Sequence, residues 1–538
     1  MTWPKILIQV LTTAACLWLA VPGAHSQIPH LKKQGSATQL MVDGRPFLVL
    51  GGELHNSSSS NLEYMRPIWP RMAALNVNTV LAALSWETIE PEEGKFDFRL
   101  VDGLIEDARR HHLRLVFLWF GSWKNGMSSY LPLWVKKDYK RFPRAKIAGG
   151  KTIEVLSTFS VANRDADAKA YAALMRHIRE VDGQDHTVIM MQVENEVGVR
   201  GDSRDRCDTA NQAFAADVPG SLIKYLRDNR DNLVPEVRKL LEAGGFATSG
   251  SWERAFGAGP ATDEAFMAWH YATYIDHVTA AGKAEYDLPM FVNAWLSNPD
   301  GKPGDWPSGG PLPHVMDIWL GGAPHIDILA PDIYQSNFAE WCERYTQRGN
   351  PLFIPETRSG GANPFYAIGR HNAMGISPFA VDSMENPAES DLAKSYAVLK
   401  QLAPLILKHQ GKNEMAGLLL DEKNPSVNVE LGGYQLEISL DSVFGRTAKS
   451  GYGLLIALGK DEFLAAGSGF RVGFAPKAPG TGRAGLGPVE EGSFADGKWI
   501  PGRRLNGDET DQGERWRISA GRRSGRITIQ RCTVYRYE

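Results

Sequence analysis

A (β/α)8 (TIM) barrel followed by a smaller all-β domain is the fold class this sequence predicts, on three observations. Between Phe47 and Phe379, eight apolar runs of strand length alternate with eight helical patterns, and alternating β and α units build a parallel sheet. No Gly-rich phosphate fingerprint follows the first strand, which removes the main support for an open dinucleotide-binding sheet. After Gln410 the texture changes to short runs that alternate apolar and polar residues, the mark of a separate β domain.

The expected barrel strands are 47–51, 78–82, 115–119, 187–192, 290–294, 326–330, 352–355 and 373–379. Each is a short apolar run without alternation, as suits a parallel strand buried on both faces. Helical spacing over 62–75, 100–112, 166–181, 265–282, 315–320, 338–347, 364–370 and 392–409 supplies the crossovers. The charged, Gly-rich stretch 200–260 is an insertion after strand four, expected to roof the barrel mouth. Beyond residue 410, Tyr434, Leu436, Ile438 and Leu440 alternate, 454–458 is a short run, and 526–529 and 533–537 close the chain. The Pro/Gly-rich stretch 475–501 reads as loops, and the arginines near the end read as a solvated sheet face. The domain expectation is 1–26 leader, 27–410 barrel and 411–538 β domain.

The 538 residues, 43% of them hydrophobic, suffice for two cores, and the net charge of -3 argues against nucleic acid or an anionic membrane as main partner. Lys5, the apolar run from Ile6 to Val21, and Pro22-Gly23-Ala24-His25-Ser26 resemble a signal peptide cleaved after Ser26, so an exported protein, periplasmic or secreted, is expected. No later run approaches a membrane span. Cys207, Cys342 and Cys532, widely spaced, outline no zinc or disulfide framework, and neither metal nor cofactor is expected.

Chemistry concentrates at two strand ends. Val188-Ile189-Met190-Met191 runs into Gln192-Val193-Glu194-Asn195-Glu196, placing Glu194 and Glu196 on one pleat parity with Asn195 between them. Phe353-Ile354-Pro355-Glu356 places Glu356 at the end of strand seven, with Arg358 near enough to stabilise an ionised carboxylate. Carboxyl ends of barrel strands converge on one mouth, where catalytic residues sit in this fold. Two carboxyls meeting there suit glycoside hydrolysis, in which one acid protonates the leaving oxygen while a carboxylate attacks, or directs water at, the anomeric carbon. A carbohydrate is the expected partner, and 15 Trp and 16 Tyr offer flat rings for sugar faces. Trp295 and Trp123, at strand ends, are candidates for stacking; Glu53, just past strand one, could hold two hydroxyls. His55, His111 and His112 show no usable ligand spacing.

Asn195-Glu196 and Glu356 resemble the acid/base and nucleophile of clan A retaining glycosidases. Within that clan, Gln192-Val193-Glu194-Asn195-Glu196-Val197-Gly198 is similar to the strand-four motif of glycoside hydrolase family 35, the β-galactosidases. Trp86, Glu90-Pro91, Gly94 and Phe96-Asp97-Phe98 resemble that family's second-strand signature. The resemblance implies Glu196 as acid/base, Glu356 as nucleophile, Asn195 as donor to the sugar 2-hydroxyl, Asn125 as a sugar ligand, and Tyr334 as hydrogen-bond donor to the nucleophile. It implies a retaining, exo-acting β-galactosidase. Met127 stands where the family has a Glu that contacts galactose, Ile89 where many members have His, and Glu87 where they have Asn, marking a divergent branch. A different β-glycoside, a glucoside or an arabinoside, and a carbohydrate-binding barrel without turnover are the alternatives.

Overall fold

The computed structural model describes residues 27–443, 445–477, 482–518 and 527–538. The expected leader therefore lies outside the described residues. Eight parallel strands close a barrel: β1 (Val49–Glu53), β2 (Thr79–Ser85), β3 (Arg114–Phe120), β4 (Val188–Val193), β5 (Met290–Trp295), β6 (Ile328–Ile333), β7 (Phe353–Thr357) and β8 (Gly375–Pro378), with β8 pairing back to β1. Each lies within a few residues of its expected place. Side chains near the strands' amino ends, among them Val49, Val116, Phe291, Ile328 and Phe353, form an inner cluster joined by Leu40 and Val42 of a preceding three-stranded sheet, which plugs the barrel floor.

The first crossover differs from the single helix expected over 62–75: Leu62–Met65 and Trp69–Ala74 are separate. Pro67 and Pro70 remove two backbone donors within that stretch. The insertion differs more. Its helices, Asp208–Ala215, Gly220–Asp228, Pro235–Ala243 and Trp252–Phe256, bury Leu222, Ile223, Leu226 and Val237 in the main core instead of roofing the mouth. The Val234 N–H donates to Asp317 of the helix Met316–Gly322 at 2.7 Å, so the insertion is tied to the barrel's flank. Amphipathic helices need an apolar surface to cover, and the flank offers one. At the insertion's start Arg200 lies over the ring of Trp295 at the end of β5.

Most of the described C-terminal region forms two larger sheets. Strands β9 (Met415–Asp421), β12 (Ser450–Gly459), β13 (Glu462–Ser468), β18 (Thr528–Tyr537), β15 (Arg483–Ala495) and β16 (Lys498–Leu505) lie side by side in that order. β10 (Ser426–Leu431), β11 (Tyr434–Leu440), β14 (Phe470–Pro476) and β17 (Trp516–Ile518) make the second sheet. Leu436, Ile438, Leu455, Phe463 and Trp516 fill the space between them. The opposite face of the larger sheet, Leu454, Ile456, Leu464, Ala466 and Ile529, joins the core of the barrel. Alternation along β12 serves both interfaces, as a period of two requires.

The stretch 475–501 differs from the loops expected of it. Apart from 478–481, outside the described residues, it holds most of the β15–β16 hairpin rather than loops. Its Gly and Pro residues sit where the ladder slips: the register shifts between Leu486 and Val489 span Gly487 and Pro488, and the shift beside Gly492 takes in Pro501 and Gly502. Bulges tolerate residues that a regular strand would reject. Arg517 is also not on a solvated face: it is 8% exposed and bonds to Asp441 at 2.9 and 3.1 Å.

Candidate active site

At the end of β4 the chain leaves the strand after Val193. Glu194 (φ 62°) and Glu196 (φ 45°) both adopt the left-handed region, a conformation costing on the order of 1–3 kcal/mol each for residues with a Cβ. The two acids, expected on one pleat parity, consequently part company. The Glu194 carboxylate turns into the barrel wall and accepts from the Trp123 N–H at 2.7 Å. Beside it Asp167 accepts from Trp119 Nε1 at 2.9 Å and from the Ser122 hydroxyl at 2.5 Å. Burial and then the charge of Asp167 hold Glu194 well above the usual carboxyl range, and burial raises Asp167 too.

Glu196 turns to the mouth. Its N–H donates to Asn293 Oδ1 at 3.0 Å, and its Oε2 accepts a short hydrogen bond from Asn125 Nδ2. It is 4% exposed, and its pKa is pushed up to about 7, first by burial and then by the charge of Glu356, against the opposing pull of Lys124 and the hydrogen bonds from Asp332 and Asn125. Asn195 is buried; its Oδ1 faces the Asn125 N–H at 3.4 Å, and its Nδ2 meets no acceptor among the described residues.

Glu356 lies at the end of β7, 7% exposed. Tyr334 donates its hydroxyl to Glu356 Oε1 at 2.5 Å, while Oε2 meets no donor among the described residues. The charge of Glu356 pushes the Tyr334 phenol up as well, second to burial. Arg358 differs from expectation: its guanidinium bonds to the Tyr334 carbonyl at 2.8 Å instead of the Glu356 carboxylate. Glu53 joins the group, 1% exposed, and burial, Glu356 and Glu196 keep it well above the usual carboxyl range, with Lys124 opposing.

The two tryptophans diverge. Trp295, partly exposed at the end of β5, carries the Arg200 guanidinium over its ring at 4.7 Å. Trp123 does not fit its expected role as a stacking platform. It is 1% exposed, its ring packs against Tyr271 and Tyr274 at 5.0 and 4.6 Å, and its Nε1 donates to the Leu156 carbonyl. Glu90 of the second-strand signature is likewise a clamp, accepting from Trp86 Nε1 at 2.8 Å and from the Gly94 N–H at 2.7 Å.

Lys124, Asn293, Asp332 and Asp167 escaped the reading of the sequence. Asn293 and Asp332 did leave a signal: each is a lone polar residue inside an otherwise apolar strand, and a polar group placed there needs a partner. Among the described residues no group of three or more His, Cys, Asp or Glu is placed to hold a metal ion, and no helix is long and apolar enough to cross a membrane.

Comparison with known proteins adds kinship to this geometry. Residues 58–240, which include the β4 tip, match the glycoside hydrolase family 42 model, described as β-galactosidase. Residues 392–517 match a domain of unknown function. A β-galactosidase of Xanthomonas manihotis is 28% identical over 196 residues, 35% of this chain and 30% of its own. The chain thus spans about a third of the length of that relative. The β-galactosidase from Bacillus circulans sp. alkalophilus is 15% identical, with 67% of this chain and 57% of that one covered and a TM-score of 0.46. The corresponding enzyme from Marinomonas ef1 is 14% identical over 67% and 60%, with a TM-score of 0.45. Over the first half of its barrel this chain is similar to β-galactosidases; the family 35 expected from the strand-four motif is not the one whose model matches.

Proposed function

We propose that this protein is a retaining, exo-acting β-glycosidase that releases terminal β-D-galactose from oligo- or polysaccharides. The observation that carries this reading is the pairing of Glu196, an acid with a pKa of about 7, with Glu356, whose charge reaches it across the barrel mouth. In the first step Glu196 protonates the glycosidic oxygen as the free Glu356 Oε2 attacks the anomeric carbon, and the C–O bond breaks. Loss of the Glu356 charge on forming the glycosyl ester lowers the pKa of Glu196, which then takes a proton from the attacking water. Tyr334 holds Glu356 Oε1 throughout. Asn195 Nδ2 offers a donor for the 2-hydroxyl, Asn125 and Glu53 line the same mouth, and Trp295 offers an outer ring.

Finer kinship with glycoside hydrolase family 35 rests on the residue 192–198 motif and on the second-strand signature from Trp86 to Phe98. Domain limits near 410 and export, on the apolar run from Ile6 to Val21, belong to the same proposal.

A second sugar is favoured by one observation. Met127 is partly buried against the core, and a thioether offers no bond to a galactose hydroxyl comparable to that of a carboxylate. A glucoside or an arabinoside is then the substrate. A panel of nitrophenyl β-glycosides, followed by NMR of the first-formed anomer, tests both. Fastest turnover of the galactoside with a β first product supports the proposal; an α first product, or binding without hydrolysis of any β-glycoside, overturns it.

A further inference from the structure

The chemistry above uses Glu196 and Glu356 and leaves a third buried carboxyl, Asp332, without a task. Asp332 is 2% exposed, and the β6–β7 register pairs it directly with Glu356. On its other side Asn293 Nδ2 donates to Asp332 Oδ2 at 2.6 Å, while Asn293 Oδ1 accepts from the Glu196 N–H at 3.0 Å. One amide thus fixes Asp332 and the backbone of Glu196 relative to each other. Asp332 Oδ1 meets no hydrogen-bond partner among the described residues, and the charges of Asp332 and Glu196 act on each other. A bond between that oxygen and the Glu196 carboxyl can form only through a proton on one of the two.

The surroundings decide which of them keeps it. Asp332 faces Glu356 on β7, Glu196 after β4 and Glu53 on β1, all of one sign, with the Tyr334 and Tyr345 hydroxyls near. Glu196 faces the same acids but has Lys124 and the Asn125 amide on its side. Negative charge is better placed on Glu196.

Resting on the glycosidase reading, we propose that Asp332 is a positioning residue which stays protonated and donates its O–H to one oxygen of Glu196. The bond fixes the rotation of the Glu196 carboxyl, so that the proton of Glu196 itself is free for the glycosidic oxygen. Burial and the neighbouring acids, holding Asp332 well above the usual carboxyl range, agree with this. The Asp332 proton is never transferred. The leaving oxygen takes the proton of Glu196 while the carbon bonds to Glu356, and the Asp332 bond strengthens as it becomes charge-assisted. In the second step water oxygen bonds to the carbon, its proton passes to Glu196, and Glu356 is released.

Asp332→Asn keeps an acceptor for Asn293 and a donor for Glu196 but carries no titratable proton; Asp332→Ala removes both. The Asn variant is expected to keep kcat within about threefold and its basic pH limb in place. The Ala variant is expected to lose about tenfold or more in kcat and to shift that limb up by about one unit, since ionised Glu196 loses a donor. An infrared difference spectrum of wild type minus Asp332→Asn near about pH 8, where an ordinary carboxyl is ionised, reads the proton without substrate and should show a carboxylic C=O band. Absence of that band, or an Asn variant as impaired as the Ala variant with its basic limb displaced, overturns the proposal. A band in a wild type that hydrolyses no glycoside would sink the glycosidase reading and leave the Asp332 proton standing.

Discussion

At Glu196 the environment pushes in two directions. Burial and the charge of Glu356 favour the neutral acid, while Lys124, Asn125 and Asp332 favour the carboxylate, and the balance falls at about 7 instead of the 4.5 of a free Glu. An acid so tuned is protonated when it must donate and ionised when it must accept. Catalysis should therefore fall on a basic limb near 7, and Glu196→Gln should remove that limb and cost about 10²–10⁴-fold on an unactivated glycoside while sparing an aryl glycoside with a good leaving group. Full activity of this variant on an unactivated substrate would contradict the assignment. Stability carries the same signature. A carboxyl whose folded pKa is raised binds more protons folded than unfolded between about 4.5 and 7, so its contribution is present in acid and lost as pH rises through the folded value. For Glu196 the loss by pH 8 is on the order of 3 kcal/mol, and Glu53, Glu194 and Asp332 act in the same direction. Melting temperature should fall from pH 5 to pH 8, and Glu196→Gln should flatten that slope; a wild type more stable at pH 8 would be inconsistent with these buried neutral acids.

The ends of β3 and β4 are tied by the Glu194–Asp167 pair, and Gly121 lies against the knot. A Cβ on Gly121 would come within 2.3 Å of Trp119 Nε1, 2.5 Å of Glu194 Oε1 and 2.7 Å of Asp167 Oδ1. Gly121→Ala must then displace the wall that carries Glu196, and is expected to lower kcat about tenfold or more with a reduced melting temperature; a variant matching wild type in both would show that the knot does not position the acid. Elements of this kind were legible from the sequence only in part. The eight strands read clearly because β1 to β8 are buried on both faces and leave mostly apolar runs. The acids at their ends read clearly because carboxyls interrupt such runs abruptly. The left-handed turn at Glu194 and Glu196 was not legible: pleat parity assumes that the strand continues, and here it stops at Val193. The β15–β16 hairpin was hidden by glycines and prolines that mark bulges as readily as loops. Trp123 misled because a strand-end aromatic looks alike whether it faces a sugar or, as here, two tyrosines.

The larger C-terminal sheet stands against the barrel behind the strand that carries Glu356. The helix Asn363–His371, which connects β7 to β8, packs on β9 so closely that a Cβ on Gly369 would lie 2.9 Å from the Gly417 Cα, and one on Gly417 2.6 Å from the Arg370 nitrogen. Backbone-to-backbone approach of this kind fixes one element against another more firmly than flexible side chains can, and it sits one crossover from Glu356. Phe365 and Ile368 of that helix share a core with Leu454, Ile456 and Leu464 of the sheet, and uncovering each such side chain costs about 1.5–3 kcal/mol. A chain ended at Gln410 should consequently be insoluble or fail to melt cooperatively. Because truncation alone cannot separate loss of a buttress from loss of folding, the sharper probe is Gly417→Val in the whole protein. It should lower the melting temperature by about 5 °C or more and reduce kcat, with KM for a small aryl glycoside nearly unchanged, since the substrate contacts lie on the other side of the barrel wall. A soluble, fully active barrel of residues 27–410 would mean that the sheet only rests on the catalytic domain and that the geometry of Glu356 is held from within.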